Sequence, residues 1–464
     1  MKHEDIKSIL SNEEYVGKNV TICGWIKTIR RSKNISFVEI NDGTSLENLQ
    51  LVVDNLNEKN KEFFEHMNVG SSIAAKGNVV ASINRNQKVE LNVEETMLFG
   101  ECTKDYPIQK KKQNMEFLRE MPHLRARTNT FNAIFKIRNC LSKAIHDYFQ
   151  EHNFTYVHTP IITGSDCEGA GKMFRVTTLD IDQISRNEYD NNLNKKDFFG
   201  KKVGLTLSGQ LEAEAMACCL GKVYTFGPTF RAENSNTKKH AAEFWMIEPE
   251  VAFADLDEII ELVVDVFKHM MKKVLLECPD EIKFFTKYYD NSLFDRLVNV
   301  IECDFGKLEY TDAIKILEKS EVNFEFPIYW GSDLKSEHIK YLTDVIYKKP
   351  FFIINSPKHL KPFYHKENED GKTVASADLF FPGVGDIIGA CQKEDNFDLL
   401  EKKIDNLNMT KEDYMWYLDL RKYGSVPHSG FGMGLERLVM FATGMDNIRD
   451  TIPFPRTKCK KLKL

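Results

Sequence analysis

Short runs of β-branched and apolar residues, separated by polar turns, dominate the first hundred positions. Residues 20–26, 36–40 and 49–53 read as strands, with Asn41-Asp42-Gly43-Thr44 as the turn between the second and the third. Residues 72–80 and 89–93 read as two more around a turn at Asn84-Arg85-Asn86, and a helical stretch is expected over roughly 57–67. Five strands with one helix between the third and the fourth is the plan of an OB-fold, a small barrel that often grips single-stranded nucleic acid. Other small β-barrels share that strand count.

Residues 105–127 break the alternation. They are polar, include Lys110-Lys111-Lys112 and two prolines, and read as a linker whose lysine run is a solvated surface. Beyond them the period changes. Ile134, Ile137, Leu141, Ile145 and Tyr148 recur every three or four positions, which predicts a helix starting after Asn129 or Thr130. A strand over 154–159 follows and stops at Pro160. A helix is expected over 208–220, then strands over 223–230 and 243–253 joined by a polar loop at 234–241. Asp255 with Glu258 makes a capping box before an amphipathic helix over 259–276. Strands return at 373–381 and 386–392, and a glycine-rich stretch runs into a helix over 430–443. The expected fold is α+β: a barrel at 1–104, a linker at 105–127, and at 128–464 a larger domain built on an antiparallel sheet flanked by helices.

Composition narrows the class. With 42% hydrophobic and 28% charged residues the chain is neither disordered, collagen-like nor repeat-dominated. No apolar run approaches the ~18–20 residues of a membrane span. The opening MKHEDIKSIL carries acids where a leader peptide would be basic and apolar. A cytoplasmic protein without membrane association is expected. The ten cysteines show no Cys-x-x-Cys spacing and read as reduced thiols. Sixty-three basic residues against 69 acidic ones give a net charge of −6, which argues against a globally basic nucleic-acid binder but permits local basic patches.

Three stretches carry candidate chemistry. In the first, Phe230-Arg231-Ala232-Glu233 and Glu243-Phe244-Trp245-Met246-Ile247-Glu248 flank the polar loop. Side chains two apart on a strand share a face, so Arg231 and Glu233 should point together, as should Phe244, Met246 and Glu248. Such a face suits a nucleotide: arginine matches a phosphate bidentately, phenylalanine stacks on a base, and glutamate accepts from an exocyclic amine. An exposed hairpin with ordinary ion pairs is the alternative. The second stretch, Gly430-Phe431-Gly432-Met433-Gly434-Leu435-Glu436-Arg437, puts Arg437 in the first turn of a helix. A cation there is disfavoured by the helix dipole unless an anion is bound. The third, from Ser376 to Gly389, holds Asp378 and Asp386 within apolar segments around a turn. Mg²⁺ bridging phosphates is the natural partner of such carboxylates, and acids capping the turn the alternative.

Taken in order, the helix and strand up to Pro160, the Phe-Arg-x-Glu hairpin and Gly-x-Gly-x-Gly-x-x-Arg resemble the three signature motifs of class II aminoacyl-tRNA synthetases. They fall at about 134–160, 223–253 and 430–444. The N-terminal OB-fold is similar to that of the aspartate, asparagine and lysine subgroup. Words such as Ser165-Asp166-Cys167-Glu168-Gly169 and Pro427-His428-Ser429-Gly430 look like the asparaginyl branch. The resemblance implies that ATP and asparagine form asparaginyl-adenylate, which is transferred to the 3′ end of tRNA(Asn). It implies that Arg231 holds the α-phosphate, Glu233 the adenine amine and Arg437 the γ-phosphate, that Phe244 stacks under the base, and that His240 approaches the phosphates. Asp378 and Asp386 would carry Mg²⁺; Glu168, Ser208 and Gln210 would seat the amino acid. Arg30, Phe37 and Gln50 resemble anticodon readers, although Phe37 could instead be a barrel-core aromatic. Lys238 and Lys239 would meet the acceptor stem. The helix before Pro160 resembles the family's dimer-forming motif, so a homodimer is expected.

Choosing asparagine over aspartate is an electrostatic problem. The resemblance places Glu248 to accept from the asparagine NH₂. An aspartate carboxylate about 3.5 Å away would be repelled by roughly 4–5 kcal/mol at an effective dielectric near 20. Aspartate enzymes carry a lysine where this chain has Ala213. Two positions depart from the asparaginyl pattern: Asp386 replaces a glutamate, and Lys393 replaces the arginine whose fork contacts the substrate's side-chain carbonyl. Rival readings are an aspartyl or non-discriminating enzyme, an amidating paralogue making free asparagine, and a non-catalytic tRNA-binding protein. Retention of Arg231, Glu233, Asp378 and Arg437 argues against the last. If Lys393 lies in the pocket, Lys393→Arg should change the KM for asparagine in steady-state kinetics; an unchanged KM would remove it from the site.

Overall fold

The computed structural model describes residues 2–57, 66–82, 87–109, 113–167, 173–180, 191–235 and 237–458, with backbone only at 191–193. The chain folds as two compact units, Met1–Phe135 and Lys136–Leu464.

In the first unit, β1 (Asn19–Arg31), β2 (Ile35–Asn41), β3 (Leu49–Asp54), β4 (Ser72–Ala81) and β5 (Val89–Gly100) close into a barrel in the order β1-β2-β3-β5-β4. The alternate apolar positions fill it: Ile22, Ile26, Val38, Ile40, Leu51 and Leu91 are among its buried core. β1 and β5 outrun their hydrophobic alternation because β2 and β4 continue to pair with their polar ends. The barrel closes tightly at Gly77, where an added Cβ would stand 2.0 Å from the Asn92 carbonyl oxygen. Most of the helix expected over 57–67, and the lysine run 110–112, lie outside the described residues.

The stretch expected to be a linker is structured. Two short helices, Met115–Arg119 and Pro122–Arg125, occupy it, and Leu118 is buried. Arg125 is fully buried with its guanidinium carbon 4.3 Å from the Phe131 ring centre. Helices of four and five residues are too short to display a period, so the packing was invisible in the sequence.

Helix α1 (Asn129–Glu151) already includes Asn129, one residue earlier than a start after Asn129. The second unit is built on an eight-stranded sheet. Its strands are β6 (Thr155–Tyr156), β10 (Lys222–Phe230), β11 (Glu243–Ala252), β12 (Gly306–Glu309), β13 (Phe351–Ile354), β14 (Ser376–Phe381), β15 (Gly385–Gln392) and β16 (His428–Gly434). They lie in the order β12-β13-β14-β15-β16-β11-β10-β6. β7 (Ile162–Thr163), β8 (Arg175–Val176) and β9 (Val203–Leu205) form a separate three-stranded sheet. The large sheet is antiparallel through its centre, but both outer pairs are parallel, β12 with β13 and β10 with β6. The strand expected over 154–159 shrinks to Thr155–Tyr156, which pairs only with β10. β14 begins at Ser376, because Thr373 and Val374 are taken by isolated bridges to Pro357 and Glu367. The glycine-rich stretch is itself a strand, β16, ahead of the helix.

Helix α2 (Gln210–Leu220) follows β9, α3 (Leu256–Glu277) follows β11, α4 (Lys411–Lys422) precedes β16 and α5 (Leu435–Thr443) follows it. The apolar stripes of α3 and α5 cover the rear of the sheet, while α2 packs against Val223, on the face that carries Glu250. Phe267 of α3 stacks on Phe381 of β14 at 4.5 Å, and Phe441 of α5 lies 4.9 Å from Phe381. On β14 the outward positions therefore alternate cleanly, with Ala377, Leu379 and Phe381 buried behind and Asp378 and Phe380 in front. The capping box of α3 is complete, with Asp255 accepting from the Glu258 N–H and Glu258 from the Asp255 N–H. Asp255→Ala should cost about 1 kcal/mol of local stability, read as faster amide hydrogen exchange in the first turn of α3 with the barrel unchanged.

Candidate active site

The front of the second unit's sheet is where the candidate residues collect. β14 and β15 meet at a turn with Gly383 at φ +71° and Gly385 at φ +92°, conformations that glycine adopts without strain. Across the strands Asp378 pairs with Gly389 and Gly389 with Gly432. These glycines leave a floor with no side chains beside the carboxylate. In front of it is a cavity of about 630 Å³ whose walls include Asp378, Asp386, Lys239, Phe380, Lys340 and Asp344.

Asp378 is ion-paired with Lys361. Asp386 is more exposed, and the Arg437 Nη1 donates to its backbone oxygen at 3.0 Å and lies 3.4 Å from its Oδ1. Arg437 is the third residue of α5, in its first turn. Among the described residues no three or more His, Cys, Asp or Glu side chains gather as a ready-made metal cage. Two carboxylates on one cavity nevertheless form a donor set suited to Mg²⁺, which takes one or two protein carboxylates and completes its shell from phosphate and water. The Lys239 Nζ donates to the Val384 carbonyl at 2.6 Å and lies in the same cavity wall. Burial lowers the pKa of this ammonium. Lys239 thus faces the cavity, whereas Lys238 is exposed and paired with Asp446 at 2.5 Å.

The hairpin differs from its expected form in one respect. β10 ends at Phe230, so Arg231 and Glu233 lie in the loop beyond the strand and do not share a strand face. The Arg231 N–H still donates to the Ala242 carbonyl at 3.0 Å, which continues the hairpin by a rung. Its guanidinium carbon stands 5.4 Å from the Phe244 ring centre. Glu233 lies 3.8 Å from His240, which also bonds Thr237 at 2.5 Å. On β11, Phe244, Met246 and Glu248 alternate as expected.

Glu248 is buried and both its oxygens are engaged: the Ser208 hydroxyl donates to Oε1 and the Gly209 N–H to Oε2 at 3.0 Å. Burial raises its pKa, while Ser208, Gly209, Arg231 and Lys393 pull it back. Ser208, expected to seat the amino acid, thus has its hydroxyl on Glu248; it lies just before α2, whose first residue, Gln210, reaches Glu214 at 3.4 Å. Ala213 is fully buried beside Ala217 and Val223. Glu168 lies outside the described residues.

Sequence reasoning missed a buried charge cluster behind this wall. The Glu214 carboxylate accepts from Tyr417 at 2.7 Å and Arg421 at 2.9 Å, and lies 3.0 Å from the His428 Nε2. Lys393 is fully buried, its Nζ 3.1 Å from Glu250 and 3.8 Å from Glu214. Two signals were available. Glu250 continues the alternation of Phe244, Met246 and Glu248, and Arg421 falls on the stripe of Tyr414, Tyr417 and Leu418 in α4.

In the first unit Phe37 is not a core aromatic: Ser36, Val38 and Ile40 face inward and Phe37 outward, beneath Arg30 at 4.8 Å. Gln50 is buried and donates to Glu90 at 3.0 Å, so reading a base edge would require exchanging that bond.

The model of class II tRNA synthetases for aspartate, lysine and asparagine matches residues 114–458, and that of the OB-fold nucleic acid binding domain residues 20–98. An asparagine–tRNA ligase of Clostridium kluyveri is 50% identical over 98% of this chain and 99% of its own. That of Acetivibrio thermocellus is 51% identical over 98% and 99%. The chain belongs to the class II tRNA synthetases, among the asparagine–tRNA ligases. The crystal structure of asparaginyl-tRNA synthetase from Pyrococcus horikoshii complexed with asparaginyl-adenylate superposes with a TM-score of 0.87 at 32% identity, each chain covered in full.

The glycines of β16 explain themselves against this family's third motif. An added Cβ at Gly430 would sit 2.2 Å from the Glu250 carboxyl carbon; at Gly432 it would meet only the flexible end of Met246, at 2.9 Å. Gly430→Ala is expected to cost on the order of 1–3 kcal/mol by overpacking a fixed carboxylate. Gly432→Ala should cost less, a difference measurable by denaturant unfolding followed through activity.

Proposed function

We propose that this protein activates asparagine with ATP to asparaginyl-adenylate and transfers the asparaginyl group to the 3′ end of tRNA(Asn). The observation that carries the reading is its correspondence, over nearly the whole of both chains, with relatives named asparagine–tRNA ligase. The pocket favours asparagine over aspartate: Ala213 is sealed in a small apolar cluster, so no cation stands there, and the carboxylate Glu248 forms the wall.

In the first step an asparagine carboxylate oxygen attacks the α-phosphorus and pyrophosphate leaves; in the second a terminal ribose hydroxyl attacks the carbonyl carbon and AMP leaves. No side chain forms a covalent intermediate. Catalysis is orientation plus neutralisation of charge developing on phosphorus. Arg231 is assigned to the α-phosphate, with Phe244, 5.4 Å from its guanidinium, under the adenine and Glu233 on the adenine amine. Arg437 is assigned to the γ-phosphate, where a bound anion offsets the unfavourable helix position, and His240 and Lys239 to the phosphate side of the cavity. Asp378 and Asp386 would hold Mg²⁺, which supplies positive charge against the phosphates. Glu168, Ser208, Gln210, Glu248 and Lys393 are assigned to the amino acid, with Glu248 exchanging its Ser208 bond for the substrate amide.

The barrel's outward Phe37, with Arg30 over it and Gln50 on the neighbouring strand, is assigned to the anticodon, and Lys238 to the acceptor stem. A homodimer is part of the reading: Tyr156, Ile161 and Ile162, in and after the segment resembling the dimer-forming motif, are exposed large apolar side chains. The protein is placed in the cytoplasm, where tRNA is charged; among the described residues no helix is long and apolar enough to cross a membrane.

The test is aminoacylation of tRNA(Asn) and tRNA(Asp) transcripts with asparagine and aspartate offered separately. Charging of tRNA(Asn) by asparagine alone is expected. Charging with aspartate would overturn the specificity assigned to Glu248 and Ala213, and no charging with either would leave a non-catalytic binding protein.

A further inference from the structure

Lys393 stands where the resemblance expects an arginine, and it is assigned above to the amino acid; its surroundings give that assignment a physical form. The side chain is fully buried, with its Nζ 4.8 Å from the Tyr364 ring centre. Two carboxylates face it, and they are not equivalent. Glu214, 3.8 Å away, is saturated: Tyr417, Arg421 and His428 crowd its Oε2, and Gln210 reaches its Oε1. Its negative charge is answered locally by Arg421.

Glu250 is different. Its carboxylate is fully buried, neither oxygen accepts a hydrogen bond, and the cation it faces is Lys393 at 3.1 Å. A buried charge in that position is tolerable only opposite another charge. Nothing about packing demands an acid here; the carboxylate fits because position 430 is a glycine. Burial leaves the pKa of the Glu250 carboxyl raised even though Lys393 pulls it back, while Lys393 stays charged despite its own burial because the Glu250 and Glu214 carboxyls face it.

We propose that Glu250 is a positioning residue for amino-acid selection, holding the Lys393 ammonium in place and cancelling its charge. The consequence is specific to the choice between two nearly isosteric substrates. An ammonium alone would attract an aspartate carboxylate more strongly than an asparagine carbonyl. Paired with Glu250 it offers a directed N–H donor without net charge, which a neutral carbonyl accepts and a carboxylate gains little from. Lysine can then stand in for the arginine of the asparaginyl pattern: the carboxylates at 3.1 and 3.8 Å hold the ammonium by charge, and its N–H groups are not consumed by hydrogen bonds to them. Glu248 on the same strand face supplies the complementary acceptor for the amide NH₂. This inference rests on the asparagine reading given above.

The experiment is ATP–pyrophosphate exchange on the full-length protein, with asparagine and aspartate as separate substrates, comparing Glu250→Gln with Glu250→Asp. Gln keeps the volume and removes the charge; Asp keeps the charge and shortens the side chain. Glu250→Gln should lower the asparagine-over-aspartate ratio of kcat/KM by about tenfold or more, through the KM for asparagine, with the KM for ATP moved less than about twofold. Glu250→Asp should keep the ratio within about threefold of the native protein. A preserved ratio in Glu250→Gln, or a loss in Glu250→Asp equal to that in Glu250→Gln, would overturn the proposal. If Glu250→Gln does not fold, Glu250→Asp decides: a retained ratio supports the charge role and a tenfold loss ends it. Failure of the native protein to prefer asparagine would instead overturn the underlying reading of the site.

Discussion

A lysine ammonium at Lys393, with no exposure to solvent and facing two carboxylates, is the constraint around which this part of the sheet is organised. Removing an ammonium from water costs several kcal/mol even after relaxation, so the charge persists only where counter-charges are held by the fold itself. Here they come from separate segments of chain: Glu250 from β11 and Glu214 from α2, the latter fixed by Tyr417 and Arg421 of α4. Even the backbone joins in, with the Lys393 N–H donating to the His428 carbonyl at 2.9 Å. α2, α4, β11, β15 and β16 are thereby tied together at one point. Groups so constrained are preorganised, the condition under which fixed charges and dipoles act most strongly.

The glycines of β16 and β15 serve the same end by leaving things out. Gly430 makes room for the Glu250 carboxylate, Gly432 for the tip of Met246, and Gly389 leaves Asp378 uncovered. The sequence pattern suggested that these glycines admit a ligand. The structure shows that they first admit their neighbours' side chains, and that the flat floor left beside Asp378 and Asp386 borders the cavity. Asp386 and Lys393, the two positions expected to depart from the asparaginyl pattern, stand in different surroundings. Asp386 stands at the mouth, exposed and near Arg437, where a shorter side chain can still adjust. Lys393 is fully buried between Glu250 and Glu214, where a change of shape has to be absorbed by fixed partners.

Much of this was legible beforehand, and the failures have physical causes. The five barrel strands, the cap at Asp255 and the long helices follow from periods of two and 3.6, which are local properties of the backbone. The strand ends at Phe230 as expected, but Arg231 and Glu233, read as sharing a strand face, lie in the loop beyond it. The 105–127 stretch was taken for a linker because its two helices are shorter than any period that could reveal them. Gln50 was expected to read a base and Ser208 to seat the amino acid; each is also bonded to a carboxylate, Glu90 and Glu248. Such pairings join residues 40 positions apart and leave no local trace.

By itself the sequence determined the two-part architecture, the three motifs and the family, because these rest on periodicity and on residue types at short spacing. Only the tertiary structure decided which carboxylates confront Lys393, that Phe37 faces outward, that Lys239 lines the cavity and that Ala213 is sealed in apolar packing. Whether a charge is free or answered depends on groups brought together from distant segments, and its energy varies with distance and burial. A linear order of residues carries neither quantity; the folded sheet supplies both.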